Sequence, residues 1–165
     1  MTIREIRIAD AKKFLELRKN LDTESKFMML EPDERKTTIE EEEKYIEDVI
    51  KNKLSLILVS EINNQLVGYL SANREKFTRM RHSAYIVTGI VKNYTGQGIG
   101  TKLFVELENW CKSNDIHRLE LTVMCHNLAA VALYKKMGFE IEGTKKHSLC
   151  IERQYVDEYY MAKLL

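Results

Sequence analysis

The stretch that decides the reading is TGIVKNYTGQGIGT, residues 88–101. It follows SAYIVTGIV (83–91), whose apolar, β-branched composition predicts a buried strand. Glycines then stand at alternate positions, Gly96, Gly98 and Gly100. Beyond them Ile99, Leu103, Phe104, Leu107, Trp110 and Cys111 recur at helical spacing, which predicts a helix over about 99–113. A strand, a glycine turn and a helix start form an anion cradle. Glycine permits positive φ and leaves no Cβ in the approach path. The unpaired N–H groups of the first helical turn point at whatever lies above them. The predicted ligand is a phosphate or pyrophosphate. Neither common nucleotide motif fits. G-x-G-x-x-G needs Gly at 101, where Thr101 stands, and a P-loop ending at Gly100 needs Gly at 95, where Thr95 stands.

Working outward, residues 3–8 read as a strand, and Asp10 caps a helix carrying Ala11, Phe14, Leu15 and Leu21. Residues 22–37 have no clean period and read as a loop or broken helix able to line a pocket. Thr38 and Glu41 fit a capping box. The helix after them has Ile39, Ile46, Val49 and Ile50 as its expected buried stripe and Glu40–Glu43 as its acidic face. LSLILVSE (54–61) and QLVGYLSANRE (65–75) are strands joined by an Asn63-Asn64 turn. RLELTVMC (118–125) is a strand. Asn127 caps the helix LAAVALYKKM, which Gly138 ends. Two more strands turn near Glu152-Arg153. The order β-α-α-β-β-β-α-β-α-β-β predicts an α/β (α+β) domain over residues 1–165, with a mixed, mostly antiparallel sheet flanked by helices.

Composition narrows the function. The 165 residues are 44% hydrophobic and 31% charged, an ordinary globular balance. Lys and Arg total 26 and Asp and Glu 25, too even for a dedicated nucleic-acid binder. No window reaches ~18 consecutive apolar residues, so no membrane span is expected. MTIREIRIAD lacks the apolar core of a signal peptide, which predicts a cytoplasmic protein. Cys111, Cys125 and Cys150 are odd in number and widely spaced, so neither a disulfide framework nor a structural metal site is expected.

Residues 95–100 resemble motif A of the GCN5-related N-acetyltransferases (GNAT family), Q/R-x-x-G-x-G/A, with Thr95 in place of the Gln or Arg. Asn127 to Phe139 looks like the family's N-x-x-A-x-x-x-Y-x-x-x-G-F block, with Tyr134 and Gly138 at the matching positions. The resemblance implies acetyl-CoA as co-substrate and no metal. It implies direct acetyl transfer to a primary amine in a ternary complex. Ile90, Val91, Thr95, Gly96, Gln97, Gly98, Ile99, Gly100, Thr101 and Asn127 would then contact the cofactor. Tyr134 would be the general acid that protonates the leaving thiolate. The strand ending at Ile90-Val91 would offer backbone donors to the thioester oxygen and pair with the pantetheine arm.

The base is open. The position of the family's strand glutamate is Thr122 here. Glu120 shares its strand face and is the first candidate, with Glu24, Glu31, His82, His126 and a water chain as others. Cys125 lacks a His partner in sequence, which disfavours a covalent route. Glu24, Glu31, Asp33 and Glu34 favour a cationic acceptor, with Glu31 as the substrate contact. A protein N-terminus or lysine is the other acceptor class. A non-catalytic acyl-CoA-binding module is the alternative function, but it would have no need of Tyr134. Open edges in the C-terminal strands suggest a homodimer.

Overall fold

A computed structural model describes residues 1–165. Seven strands form one sheet in the order β1-β2-β3-β4-β5-β7-β6. The strands are β1 (Thr2–Glu5), β2 (Ser55–Ile62), β3 (Gln65–Arg74), β4 (Ser83–Ile90), β5 (Arg118–Met124), β6 (Glu140–Ile151) and β7 (Gln154–Leu164). The helices are α1 (Ala11–Glu24), α2 (Ile39–Asn52), α3 (Ile99–Ser113) and α4 (Leu128–Lys136). Every neighbouring strand pair is antiparallel except β4 and β5.

Local chemistry explains most boundaries. Thr38 Oγ1 accepts from the Glu41 N–H, and the Glu41 carboxylate accepts from the Thr38 N–H, closing the capping box that starts α2. Asn127 Oδ1 accepts from the Ala130 N–H at 3.2 Å and starts α4. Asn63 and Asn64 both take positive φ in the β2–β3 turn, and so do Glu152 and Arg153 in the β6–β7 turn. Paired positive φ values match the twist of a tight hairpin.

Two helix expectations are corrected. Asp10 stands at the α1 N-cap, but its carboxylate does not cap the helix. It turns back to accept from the Arg7 N–H at 2.8 Å and from two nitrogens of Arg4. This clip ties β1 to α1, and the Arg4 hydrogen bonds hold the Asp10 carboxyl below its ordinary range. On α2, Ile39 and Ile50 are 38% and 46% exposed. The buried stripe is instead Glu42, Ile46 and Val49. Glu42 belongs to the expected acidic surface, yet it is fully buried. Arg18 Nη1 donates to both its oxygens, at 2.8 and 3.1 Å, which compensates its burial.

The sheet separates two apolar layers. Leu103, Phe104, Leu107, Val131 and Tyr134 pack on one face with Leu70, Ile86 and Leu121. Phe14, Leu21 and Ile46 pack on the other with Ile57, Val59 and Tyr69. The α1/α2 layer covers only part of its face, leaving Tyr85, Val87 and Tyr160 at 38–47% exposure. Substrate-sized space is therefore expected on that side.

Candidate active site

The site begins where the one parallel pair fails. β4 and β5 keep register for three residue pairs only, Ser83 with Arg118, Ala84 with Leu119 and Tyr85 with Glu120. They then diverge. The Tyr85 hydroxyl and Thr122 Oγ1, 2.8 Å apart, bridge the fork. A cavity of about 1200 Å³ lies beyond it. Antiparallel pairing alternates its hydrogen bonds. The Val91 N–H donates to Val67 O at 2.9 Å, on the β3 side. The alternation therefore turns the Thr88 and Ile90 N–H groups toward the diverged side. Of the two residues expected to offer backbone donors there, Ile90 has its N–H on the gap and Val91 has spent its own.

The glycine loop sits at the mouth of this gap. Gly96 and Gly98 have φ of +73° and +79°, and a Cβ at either would meet no other atom within 4 Å. Their backbone is thus both specialised and accessible. Gly98 is the N-cap of α3, and the first intrahelical bond is Lys102 N–H to Gly98 O. The N–H groups of Ile99, Gly100 and Thr101 precede it and have no side-chain cap. Lys136 Nζ reaches Thr101 Oγ1 at 3.3 Å and adds a cation. Uncapped N–H groups, the helix dipole and Lys136 together fit a pyrophosphate. The expectations for Thr95, Gln97 and Gly100 need refinement. Thr95 Oγ1 donates to Lys92 O and Gln97 Nε2 to Asn93 O, so both side chains brace the loop. A Cβ on Gly100 would meet Leu133 Cδ2 at 2.6 Å, so Gly100 is small to let α3 and α4 touch.

Tyr134 enters from the α3/α4 face. It is 7% exposed, its ring packs edge-on to Phe104 at 5.8 Å, and its hydroxyl has no partner within the protein while lining the cavity. Burial pushes its pKa well above the ordinary tyrosine value, so it stays protonated. Asn127 also lines the cavity.

The base expectations fare differently. Glu120 lies level with the still-paired end of the fork. Its carboxylate accepts from Arg118 Nε at 2.9 Å, in a separate pocket of about 250 Å³. The ion pair and the position take it away from the main cavity. Glu31 is exposed and outside the cavity, its N–H bound to the Glu34 carboxylate. His82, His126 and Cys125 do not line the cavity either. Glu24 does, but it accepts from the Lys92 N–H at 2.7 Å and clips α1 to the loop.

The other carboxylate lining the cavity is Glu158 on β7. It is 6% exposed and forms no ion pair, and Ser148 Oγ donates to its Oε2. Glu158 pairs with Met124, four residues beyond Glu120 along β5 and toward the open end, about 13 Å at ~3.3 Å per residue. Strand alternation relative to Met161, in the α3/α4 layer, puts Glu158 on the α1/α2 face. Tyr134 and Glu158 thus meet the gap from opposite faces of the sheet. The sequence motif DEYYM (157–161) contained Glu158, but only cross-strand pairing reveals its place.

Cys111 is buried in the core, and burial pushes its thiol up to about 12, so it is inert. No group of acidic, His and Cys side chains is arranged to hold a metal ion. No helix is long and apolar enough to cross a membrane.

A fork in a mixed sheet, with a glycine cradle at its mouth, is the architecture of acetyl-CoA-dependent acyltransferases. Residues 18–139 match the sequence profile of the Acetyltransferase (GNAT) family, and the chain belongs to that family. It is 35% identical over 111 residues to the L-amino acid N-acetyltransferase AaaT of Escherichia coli (strain K12), covering 65% of this chain and 67% of that protein. A GNAT-family acetyltransferase from Streptococcus pneumoniae superposes with a TM-score of 0.95 at 31% identity, over 99% of this chain and 98% of that one. The fold is shared with yncA of Salmonella typhimurium, solved with its cofactor acetyl-CoA (TM-score 0.88, 20% identity, 100% and 94% covered). Acetyl-CoA is accordingly the co-substrate, and the fork and cradle fit it.

Proposed function

We propose that the chain is a single-domain N-acetyltransferase that moves the acetyl group of acetyl-CoA directly to a primary amine, with both substrates bound at once. One observation carries this reading: the β4–β5 gap is reached from both faces of the sheet. The cradle and Tyr134 stand on one face, and an unpaired buried carboxylate stands on the other.

Acetyl-CoA supplies an activated thioester. Gly96, Gly98 and the N–H groups of Ile99 to Thr101 hold its pyrophosphate, and the free edge of β4 aligns its arm. The Ile90 N–H faces the position where negative charge develops on the carbonyl oxygen. Glu158 accepts a proton from the acceptor ammonium, freeing the lone pair for attack. Tyr134, kept protonated by burial, gives its proton to the departing sulfur. Holding the two substrates in contact across the gap supplies much of the rate.

The acceptor is an amine entering from the α1/α2 face. Of the four acidic residues expected to draw a cationic acceptor, Glu31, Asp33 and Glu34 do not line the cavity, and Glu24, which does, accepts from the Lys92 N–H, so they give that acceptor little support. The reading is tested by thermal denaturation with acetyl-CoA and by turnover of an amine panel. Acetyl-CoA should raise the Tm of the wild type and raise it much less in Gly98→Ala, whose Cβ is strained at φ +79°. No stabilisation of the wild type refutes it. Stabilisation without turnover of any amine supports the acyl-CoA-binding module instead.

A further inference from the structure

The cavity has a second end, on the α1/α2 face, that the transfer chemistry does not use. Three side chains define it, Arg18 on α1, Arg35 in the segment between α1 and α2, and Tyr69 on β3, and all three line the cavity. Each guanidinium is held by a buried carboxylate. Arg18 Nη1 donates to both oxygens of Glu42. Arg35 donates through Nε and Nη2 to Asp22, at 2.6 and 3.0 Å. Asp22 lies one helical turn from Arg18 on the same face of α1, which brings the two guanidinium groups together. The Phe14 ring links the cluster. Arg18 lies over it at 5.5 Å, and the Tyr69 ring meets it edge-on at 5.3 Å.

These anchors leave donors unspent. Arg18 keeps Nε and Nη2, and Arg35 keeps Nη1. The Tyr69 hydroxyl is unpartnered, and Tyr69 is 5% exposed. Burial raises its pKa while Arg18 and Arg35 lower it, so both cations act on its hydroxyl. Tyr69 also borders the reacting strand. A Cβ on Gly89 would meet Tyr69 Cε1 at 3.3 Å. Preorganised guanidinium forks beside a free hydroxyl match the planar geometry of a carboxylate. A polyamine would meet two fixed cations there.

We propose that Arg18, Arg35 and Tyr69 form a carboxylate subsite, so that the acceptor is an amine bearing a free carboxylate, an amino acid. The proposal rests on the N-acetyltransferase reading above and specifies its acceptor. The ammonium lies toward Glu158 and the carboxylate toward the arginines. A peptide N-terminus has an amide where the subsite expects a carboxylate.

The test uses the full chain with acetyl-CoA. The acceptors are the twenty L-amino acids, their carboxamides, the corresponding decarboxylated amines and spermidine. Free amino acids should be acetylated with kcat/KM at least tenfold above their carboxamides. Arg35→Lys keeps the charge opposite Asp22 but loses the fork, and Tyr69→Phe keeps the ring but loses the hydroxyl. Each should raise KM for the amino acid about tenfold and leave the carboxamide KM within twofold. Acetyl-CoA should raise the Tm of both variants as it does that of the wild type. Carboxamides, decarboxylated amines or spermidine turned over as well as amino acids overturn the subsite. So does stabilisation by acetyl-CoA with no amino acid acetylated. Absence of stabilisation by acetyl-CoA instead overturns the N-acetyltransferase reading on which the subsite rests.

Discussion

Replacing Tyr134 with Phe removes one oxygen and nothing else. The ring contacts with Phe104 at 5.8 Å and Phe139 at 6.0 Å remain. The hydroxyl has no protein partner, so no hydrogen bond is lost and no buried group is orphaned. Stability should therefore change by less than about 0.5 kcal/mol. Activity should change far more. A positioned general acid contributes ~10²–10⁴-fold, which is about 3–5 kcal/mol of transition-state stabilisation at ~1.36 kcal/mol per decade. The loss should fall on kcat, with stabilisation by acetyl-CoA unchanged. Cys150 is a free, exposed cysteine open to thiol reagents, so turnover is best followed by loss of thioester absorbance. A Tyr134→Phe kcat within threefold of wild type refutes the acid role. A fall in kcat accompanied by a drop of several degrees in Tm refutes the claim that the hydroxyl is structurally idle.

Glu158→Gln should lower kcat about a hundredfold or more while acetyl-CoA still raises the Tm. A kcat within threefold of wild type returns the proton to solvent. Asp10→Asn tests the β1–α1 clip through pH. The folded-state pKa of Asp10 is lowered by Arg4, so its stabilisation is full above the unfolded value of about 3.9 and is lost as pH falls through the folded one. The Tm gap between wild type and Asp10→Asn should be largest near neutrality and shrink below about pH 4; a gap independent of pH contradicts it.

What the sequence showed plainly was local. The Thr38–Glu41 box, the Asn127 cap, the Asn63-Asn64 and Glu152-Arg153 turns and the strand–glycine–helix unit each depend on residues a few positions apart. What it hid depends on partners far along the chain. Glu42 reads as surface until Arg18 is placed opposite it. The missing side chain of Gly100 reads as room for a ligand until Leu133 is found against it. Glu120 and Glu158 are both strand glutamates. Only the point at which β4 leaves β5 decides which of them reaches the cavity. Asp22 and Arg35 look like loop charges until they pair beneath the cavity. Periodicity could not resolve residues 22–37, because only the first three are helical and the irregular part is spaced by what it touches, Ser25 to Leu30 and Arg35 lining the cavity.

The fork between β4 and β5 leaves an unpaired strand edge in the middle of the sheet rather than at its rim. An edge at the rim invites another protein chain. An edge walled by α3 and α4 on one face and by the α1–α2 segment on the other admits only something as thin as a single extended chain. Its width thus works as a filter on partners. The backbone offers its hydrogen bonds to a slender ligand and denies them to a neighbouring sheet, so a feature that would otherwise promote aggregation is confined to ligand binding.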